Sequence, residues 1–241
     1  MGLISVRGAF AEELEQLRIQ VELMALRVDD SISRARSVIE IGDRLAAADL
    51  LASDDEIDQM HVSLLERCYD LLVREGPMAS DFRLVVSVIR ALDSLERIGD
   101  LCLRIAKTVD DQPMVAAHPE VHRVAIEFAA KVQHDFRLMQ AAWASASLEP
   151  LGDQMVRRHA DSAGGNEDAE PVLELGTIDL LGSAMVSRIL ELSGPGAVRA
   201  GVSAFVVCRS LDRIADHTYV LVARLKYLVT GDPSHLADEV A

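Results

Sequence analysis

The chain has 241 residues and a formal net charge of −15 at neutral pH; half of its residues are hydrophobic and only 4% are aromatic. This charge argues against nucleic-acid binding, which needs Lys and Arg at the phosphates, and against adsorption to an anionic membrane. A core so poor in aromatic residues favours helices packed on helices over a β-sandwich or barrel. Multivalent cations or a basic protein surface are the natural complements of such a chain.

The location predicted from the sequence is the cytoplasm. Acidic residues at positions 12, 13 and 15 interrupt any apolar run near the start, so no signal peptide is expected. Every window of about twenty residues contains charge, so no transmembrane helix is expected either. Three cysteines lie in helical patterns without a CxxC pair, which predicts buried thiols in a reducing compartment: Cys68, Cys102 and Cys208.

In the first half of the chain, apolar residues recur three and four apart in three long segments, which predicts three amphipathic helices. We expect these helices at residues 10–41, at residues 43–75, and from residue 78 or 79 to residue 109. The predicted breaks are Gly42-Asp43, which is typical of a helix end followed by an N-cap, and Gly76-Pro77.

The second half repeats this order. A helix is predicted at residues 119–147, and a second starts at residue 150. Residues 157–176, rich in Gly and Pro, predict a flexible surface insertion in this second helix, which resumes at 177–192. The last helix is expected at residues 197–229. Short connections make successive helices antiparallel.

One motif occurs twice. Residues Ser94–Asp100 read SLERIGD and residues Ser210–Asp216 read SLDRIAD, an offset of 116 residues, close to half the chain. The sequence therefore predicts an all-α fold of two tandem antiparallel three-helix bundles related by an internal repeat. The first is placed at residues 1–113 and the second, with the insertion, at residues 114–241.

With this organisation in view, the sequence resembles the PhoU family of bacterial phosphate-signalling regulators. The resemblance covers nearly the whole chain apart from the insertion. Five stretches carry it: Asp54–Asp58 (DDEID), Pro77–Leu84 (PMASDFRL), Glu96–Asp100 (ERIGD), Asp212–His217 (DRIADH) and Tyr227–Gly231 (YLVTG).

The resemblance implies a cytoplasmic regulator of phosphate uptake that carries carboxylate metal clusters on the second and third helices of each repeat. It also implies a homodimer that restrains phosphate-starvation signalling by coupling the ATPase subunit of the phosphate ABC transporter to a sensor histidine kinase. As for related PhoU-like proteins, the partner could instead be a single-component phosphate permease.

The first candidate metal site joins carboxylates from two neighbouring helices. Residues four apart on a helix lie on one face, roughly 6 Å apart, so each helix offers a carboxylate pair across the seam. Oxygen ligands suit hard cations such as Mg²⁺, Mn²⁺ or Fe³⁺ better than zinc, although zinc stays among the candidates. The predicted ligands are Asp54, Asp55, Asp58, Glu96 and Asp100.

The second candidate site is poorer. Asp212 and Asp216 repeat the acidic pair, but the opposing helix keeps only Asp179 where the first half has three acids. Loss of the site and a weak single-ion site are both open. His61 could join the first site, although a surface histidine is the alternative interpretation.

Three function classes follow. The first is a metal-binding regulatory adaptor that is not an enzyme. The second is a di-metal enzyme of the ferritin-like kind, which uses Glu-x-x-His pairs pointing into the core. No Glu-x-x-His occurs in this chain, which argues against that class. The third is a helical scaffold without metal.

Overall fold

A computed structural model describes residues 2–75, 79–148, 151 and 175–239. Within these ranges all the regular structure is helical, which confirms the predicted all-α class. None of the described helices combines the length and the hydrophobicity that crossing a membrane requires.

The described part contains eight α-helices. In the first half they are α1 (Gly2–Ile41), α2 (Arg44–Ala52), α3 (Asp54–Glu75) and α4 (Ala79–Ala106). In the second half they are α5 (Gln112–Ala116), α6 (Pro119–Ala144), α7 (Leu175–Leu190) and α8 (Ala197–Thr230). Two 3₁₀ turns, Val109–Asp111 and Pro233–Glu239, precede α5 and follow α8.

The prediction of one helix at residues 43–75 is wrong, because Ser53 separates α2 from α3. The Ser53 N–H closes α2 on the Asp49 carbonyl, and the Ser53 carbonyl accepts from the Glu56 N–H in the first turn of α3. Ser and Asp favour helix ends, since their side chains compete for backbone hydrogen bonds. The Ser-Asp-Asp run therefore ends one helix and begins another.

Other helix boundaries shift by a few residues. The first helix begins at Gly2 instead of residue 10, and α4 ends at Ala106 instead of residue 109. The connection after α4 is a 3₁₀ turn followed by α5, because Pro113 occupies the first turn of α5, where its missing N–H costs nothing. The predicted helix at 119–147 ends at Ala144.

Three predictions fall on residues that the structure leaves undescribed. They are the Gly76-Pro77 break, the helix start at residue 150, and the insertion predicted at residues 157–176, up to residue 174. Helix α7 begins at Leu175, two residues before its predicted start.

The predicted apolar stripes form the core. The residues that recur three and four apart in α1 are all buried: Leu14, Leu17, Val21, Met24, Val28 and Ile32. Those of α6 are buried as well: Val124, Phe128, Val132, Phe136 and Met139. Leu72 of α3 and Leu84 of α4, which were also predicted to face the core, are only partly buried. One continuous cluster of buried side chains runs through both halves, and α4 and α8 make the most extensive contact between any two described helices. The division at residue 113 stays a prediction.

The three thiols are free and buried, as predicted. Burial raises the pKa of Cys68 to about 12 and that of Cys208 to about 11, and it raises the pKa of Cys102 as well. Thiols that stay protonated at neutral pH are poor nucleophiles and poor metal ligands. The cysteines therefore act as small apolar side chains.

Asp43 gives a test of the local fold. Its carboxylate accepts hydrogen bonds from the Leu45 and Ala46 N–H groups at the start of α2. We expect Asp43→Ala to lower the free energy of unfolding by about 1 kcal/mol in urea denaturation. Asp43→Asn keeps a hydrogen-bond acceptor, so its free energy of unfolding should fall far less. Equal losses in the two variants would contradict a capping role.

Candidate functional site

Helices α3 and α4 pack antiparallel at very short range. His61 of α3 lies opposite Asp93 of α4, and Ile57 lies opposite Gly99. A Cβ atom at Gly99 would stand only 3.1 Å from the Ile57 Cδ1 atom. Glycine at this position therefore lets the two helices approach closely.

This close approach places three of the predicted ligands around one small cleft. Asp58 of α3 lines it together with Glu96 and Asp100 of α4. Ser31 of α1 and Ser53, between α2 and α3, also line the cleft. The two helices thus present their carboxylates to the same space.

The other two predicted ligands stand differently. Asp55 is exposed, as Asp58 is, but it is not among the residues that line the cleft. Asp54 is the first residue of α3, but its side chain lies outside the described part of the chain. Asp58, Glu96 and Asp100 are therefore the carboxylates on which the geometry of this site rests.

The cleft is electrostatically unfavourable for Glu96. Partial burial raises the pKa of this carboxyl, and the charge of Asp100 raises it further, with a smaller push from Asp58. Arg97 and His61 lower it again. A nearby positive charge would therefore stabilise the ionised form of Glu96.

Arg97 supplies a positive charge at the cleft. Its Nε atom lies 3.4 Å from the Glu96 Oε2 atom, and its Nη1 atom lies 3.4 Å from the Asp100 Oδ2 atom. The guanidinium side chain is 63% exposed, so these ion pairs are solvated and weak.

His61 belongs to a different contact. Its Nε2 atom lies 3.2 Å from the Asp93 Oδ1 atom, and Arg90 approaches the same carboxylate at 3.6 Å. Asp93 was not singled out from the sequence, because it lies just outside the repeated motif. Asp93 is seven residues before Asp100, which puts both residues on the same helix face. This spacing is the sequence feature that could have identified Asp93.

The second acidic pair forms ion pairs with arginines of its own helix. Asp212 accepts a hydrogen bond from Arg209, and Asp216 pairs with Arg213 at 3.5 Å. Asp179 of α7 is exposed. This half therefore keeps the acidic motif on α8 but has fewer acids on the helix before it.

The two motifs meet at the seam between α4 and α8. His217 is half-buried there, and burial lowers the pKa of its imidazole. The positive charges of Arg213 and of Arg97, from the other half of the chain, lower it further. His217 therefore stays neutral near physiological pH.

The fit of a metal ion is only partial in this arrangement. The donor set of Asp58, Glu96 and Asp100 has the chemistry of a hard-cation site. Among the described side chains, however, no three of His, Cys, Asp and Glu converge closely enough to share an ion. Arg97 contacts two of the carboxylates that an ion would need.

Comparison with known proteins finds a domain match in the first half of the chain and relatives along most of its length. A family profile for the PhoU domain matches residues 21–109, the part of the chain that contains the carboxylate cleft. Residues 21–109 are thus similar to a PhoU domain. Relatives named "Phosphate-specific transport system accessory protein PhoU" align beyond that domain. The protein from Serratia marcescens is 23% identical, covering 97% of this chain and 90% of its own length. That from Escherichia coli K12 is 25% identical, covering 94% and 87%.

Solved structures agree with the fold. The crystal structure of PhoU from Pseudomonas aeruginosa superimposes with a TM-score of 0.80 at 24% identity, covering 92% of this chain and all of that one. The phosphate transport system regulatory protein PhoU from Streptococcus pneumoniae gives a TM-score of 0.65 at 22% identity, covering 92% and 98%. At such identities the likeness concerns the helical architecture.

The raised pKa of Glu96 makes a prediction about pH. Because the folded state disfavours the ionised form of Glu96, ionisation of this side chain lowers the free energy of unfolding. This destabilisation is complete above the raised folded pKa and absent below the ordinary pKa range of glutamate, near pH 4. In chelator-containing buffer, Glu96→Gln should raise the melting temperature by about 1–2 °C near pH 8, after allowance for solvent screening. The gain should shrink near pH 4.

The control is Glu66→Gln, which removes an exposed glutamate from α3. It should leave the melting temperature within error at both pH values. A Glu96→Gln variant that is less stable than the parent near pH 8 would contradict the electrostatic account.

Proposed function

We propose that this chain is a cytoplasmic accessory protein of phosphate transport, of the PhoU family. It restrains phosphate-starvation signalling as a helical adaptor between the ATPase subunit of the phosphate ABC transporter and a sensor histidine kinase. The names of full-length relatives support the transport role. The observation that carries the proposal is the carboxylate cleft between α3 and α4, inside the matched PhoU domain.

The proposed ligand of the cleft is a hard cation: Mg²⁺, Mn²⁺ or an iron ion, with Zn²⁺ as the remaining candidate. Asp58, Glu96 and Asp100 would hold it, with Asp54 and Asp55 as additional donors. The ion would supply concentrated positive charge in the place that the Arg97 guanidinium takes in this structure. Asp179, Asp212 and Asp216 form a weaker candidate site in the second half.

Three alternatives stand beside this proposal. A single-component phosphate permease could replace the ABC transporter as the partner. A carboxylate-bridged di-metal enzyme is disfavoured by the absence of Glu-x-x-His from the sequence. A metal-free scaffold is separated from the adaptor by the experiments that follow.

Metal analysis tests the cation. Protein purified without chelator should contain metal by inductively coupled plasma mass spectrometry, and Asp58→Asn/Glu96→Gln should weaken binding by about tenfold or more, because two charged donors are lost. Glu66→Gln/Asp70→Asn removes two exposed acids of α3 outside the cleft and is the matched control. Asp212→Asn/Asp216→Asn tests the second site. Equal metal content in all variants would exclude the cleft.

Recovery of partners tests the adaptor role. Affinity-tagged protein should retain the transporter ATPase or the sensor kinase from phosphate-rich cells, and chelator should reduce that recovery if the cation supports the contact. Light scattering on the same preparation should report the proposed homodimer. Recovery of a phosphate permease would favour the alternative partner. Recovery of none of these, with or without chelator, would favour the scaffold.

A further inference from the structure

A small apolar pocket lies where four long helices meet, α1 and α4 from the first half with α6 and α8 from the second. Its volume is about 120 Å³. Small side chains at Ala25 and Ala91 leave the space, and Met139, Trp143 and Leu221 enclose it. It shares no lining residue with the carboxylate cleft.

An exposed apolar stripe on α1 reaches the edge of this pocket. Ile19, Leu23 and Leu26 follow one another at intervals of four and three residues, the spacing of one helix face. They are 48%, 51% and 60% exposed, and Leu26 is part of the pocket wall. Apolar side chains arranged in this way on a soluble protein typically mark an interaction surface.

The size of the pocket decides what kind of occupant it takes. Small-molecule sites usually measure about 300–1,000 Å³, whereas an apolar cavity of about 150 Å³ holds a single benzene ring. The space therefore suits one bulky apolar side chain. The exposed stripe beside the pocket has helical spacing. It can therefore contact other apolar side chains of a partner helix that lies along α1.

Charge defines the partner more closely. Glu12 and Glu15 are exposed at helical spacing before Ile19, and Glu22 lines the pocket. The chain as a whole carries −15. A second copy of the chain would bring the same negative charge to this surface, whereas Lys and Arg beside the apolar residues of a partner would be attracted.

We propose that this surface, defined by Ile19, Leu23 and Leu26 with the adjoining pocket, binds a basic amphipathic helix of another protein. One apolar side chain of that helix inserts between Ala25, Ala91 and Trp143. The cation cleft plays no part in this contact, so the proposal is independent of phosphate transport.

The pocket contains its own reporter, because Trp143 is the only tryptophan in the chain. The probe is a synthetic helical peptide with leucines three and four residues apart and lysines at the other positions. Titration should shift the Trp143 emission saturably and protect it from acrylamide. The anisotropy of a fluorescein-labelled copy should report the same affinity.

Variants connect this signal to the surface. Leu23→Gln/Leu26→Gln should weaken peptide binding by about tenfold or more, and Ala25→Leu should do the same by filling the pocket. Val198→Gln changes an 83% exposed apolar residue on α8 and should leave the affinity unchanged. The double variant alters only exposed side chains, so it remains informative if Ala25→Leu fails to fold.

Several results would overturn the proposal. Unchanged affinity of Leu23→Gln/Leu26→Gln, or equal binding of the same peptide with glutamates for lysines, would reject a basic helix on this surface. A saturable Trp143 shift with toluene but none with the peptide would assign the pocket to small apolar molecules. A shift that depends on protein concentration alone, and that Leu26→Gln removes, would assign it to a second copy.

Discussion

The antiparallel contact between α4 and α8 is the constraint on which the rest of the structure depends. Both helices carry the repeated motif, and both bury the same side of it: Leu95 and Ile98 in one, Leu211 and Ile214 in the other. Burial of these equivalent apolar positions leaves the acidic residues of each motif nearer the surface. The helix that precedes each motif helix then determines which side chains those acidic residues contact.

The two halves differ in that preceding helix. In the first half α3 brings Asp58 to the acidic pair of α4, and Gly99 allows the close approach. In the second half Asp179 is exposed and the acids of α8 turn to arginines of their own helix. A shared backbone plan thus supports one clustered carboxylate site and one dispersed acidic surface, because the plan does not depend on these side chains.

Much of this architecture could be predicted from the sequence, since burial follows the spacing of apolar residues. The intervals of three and four residues from Leu14 to Ile32 identified the buried face of α1. The repeated motif identified one helix in each half, but the contact between these two helices was not predicted from the sequence. Spacing also indicated that each helix would present a carboxylate pair on one face, which needs only helix geometry. The expectation that Asp58 and Glu96 lie on neighbouring helices at one site came from the family resemblance.

The features that could not be predicted depend on side-chain choices between alternatives of similar energy. Ser53 ends α2 through local hydrogen bonds that a continuous helix would also tolerate. Arg97 turns to Glu96 and Asp100, although its exposed position offers many rotamers. The apolar pocket arises from the register of four helices around Ala25 and Ala91, and no single segment encodes that register.

The pairing of α4 with α8 also bears on how such a chain could arise. A lone three-helix unit would leave the face of α4 that α8 covers in contact with water. Two copies of that unit could cover both faces at once by an antiparallel, twofold contact, which is the self-complementary geometry of a symmetric dimer. Gene duplication and fusion would then join the two subunits in one polypeptide, after which each acidic motif is free to diverge.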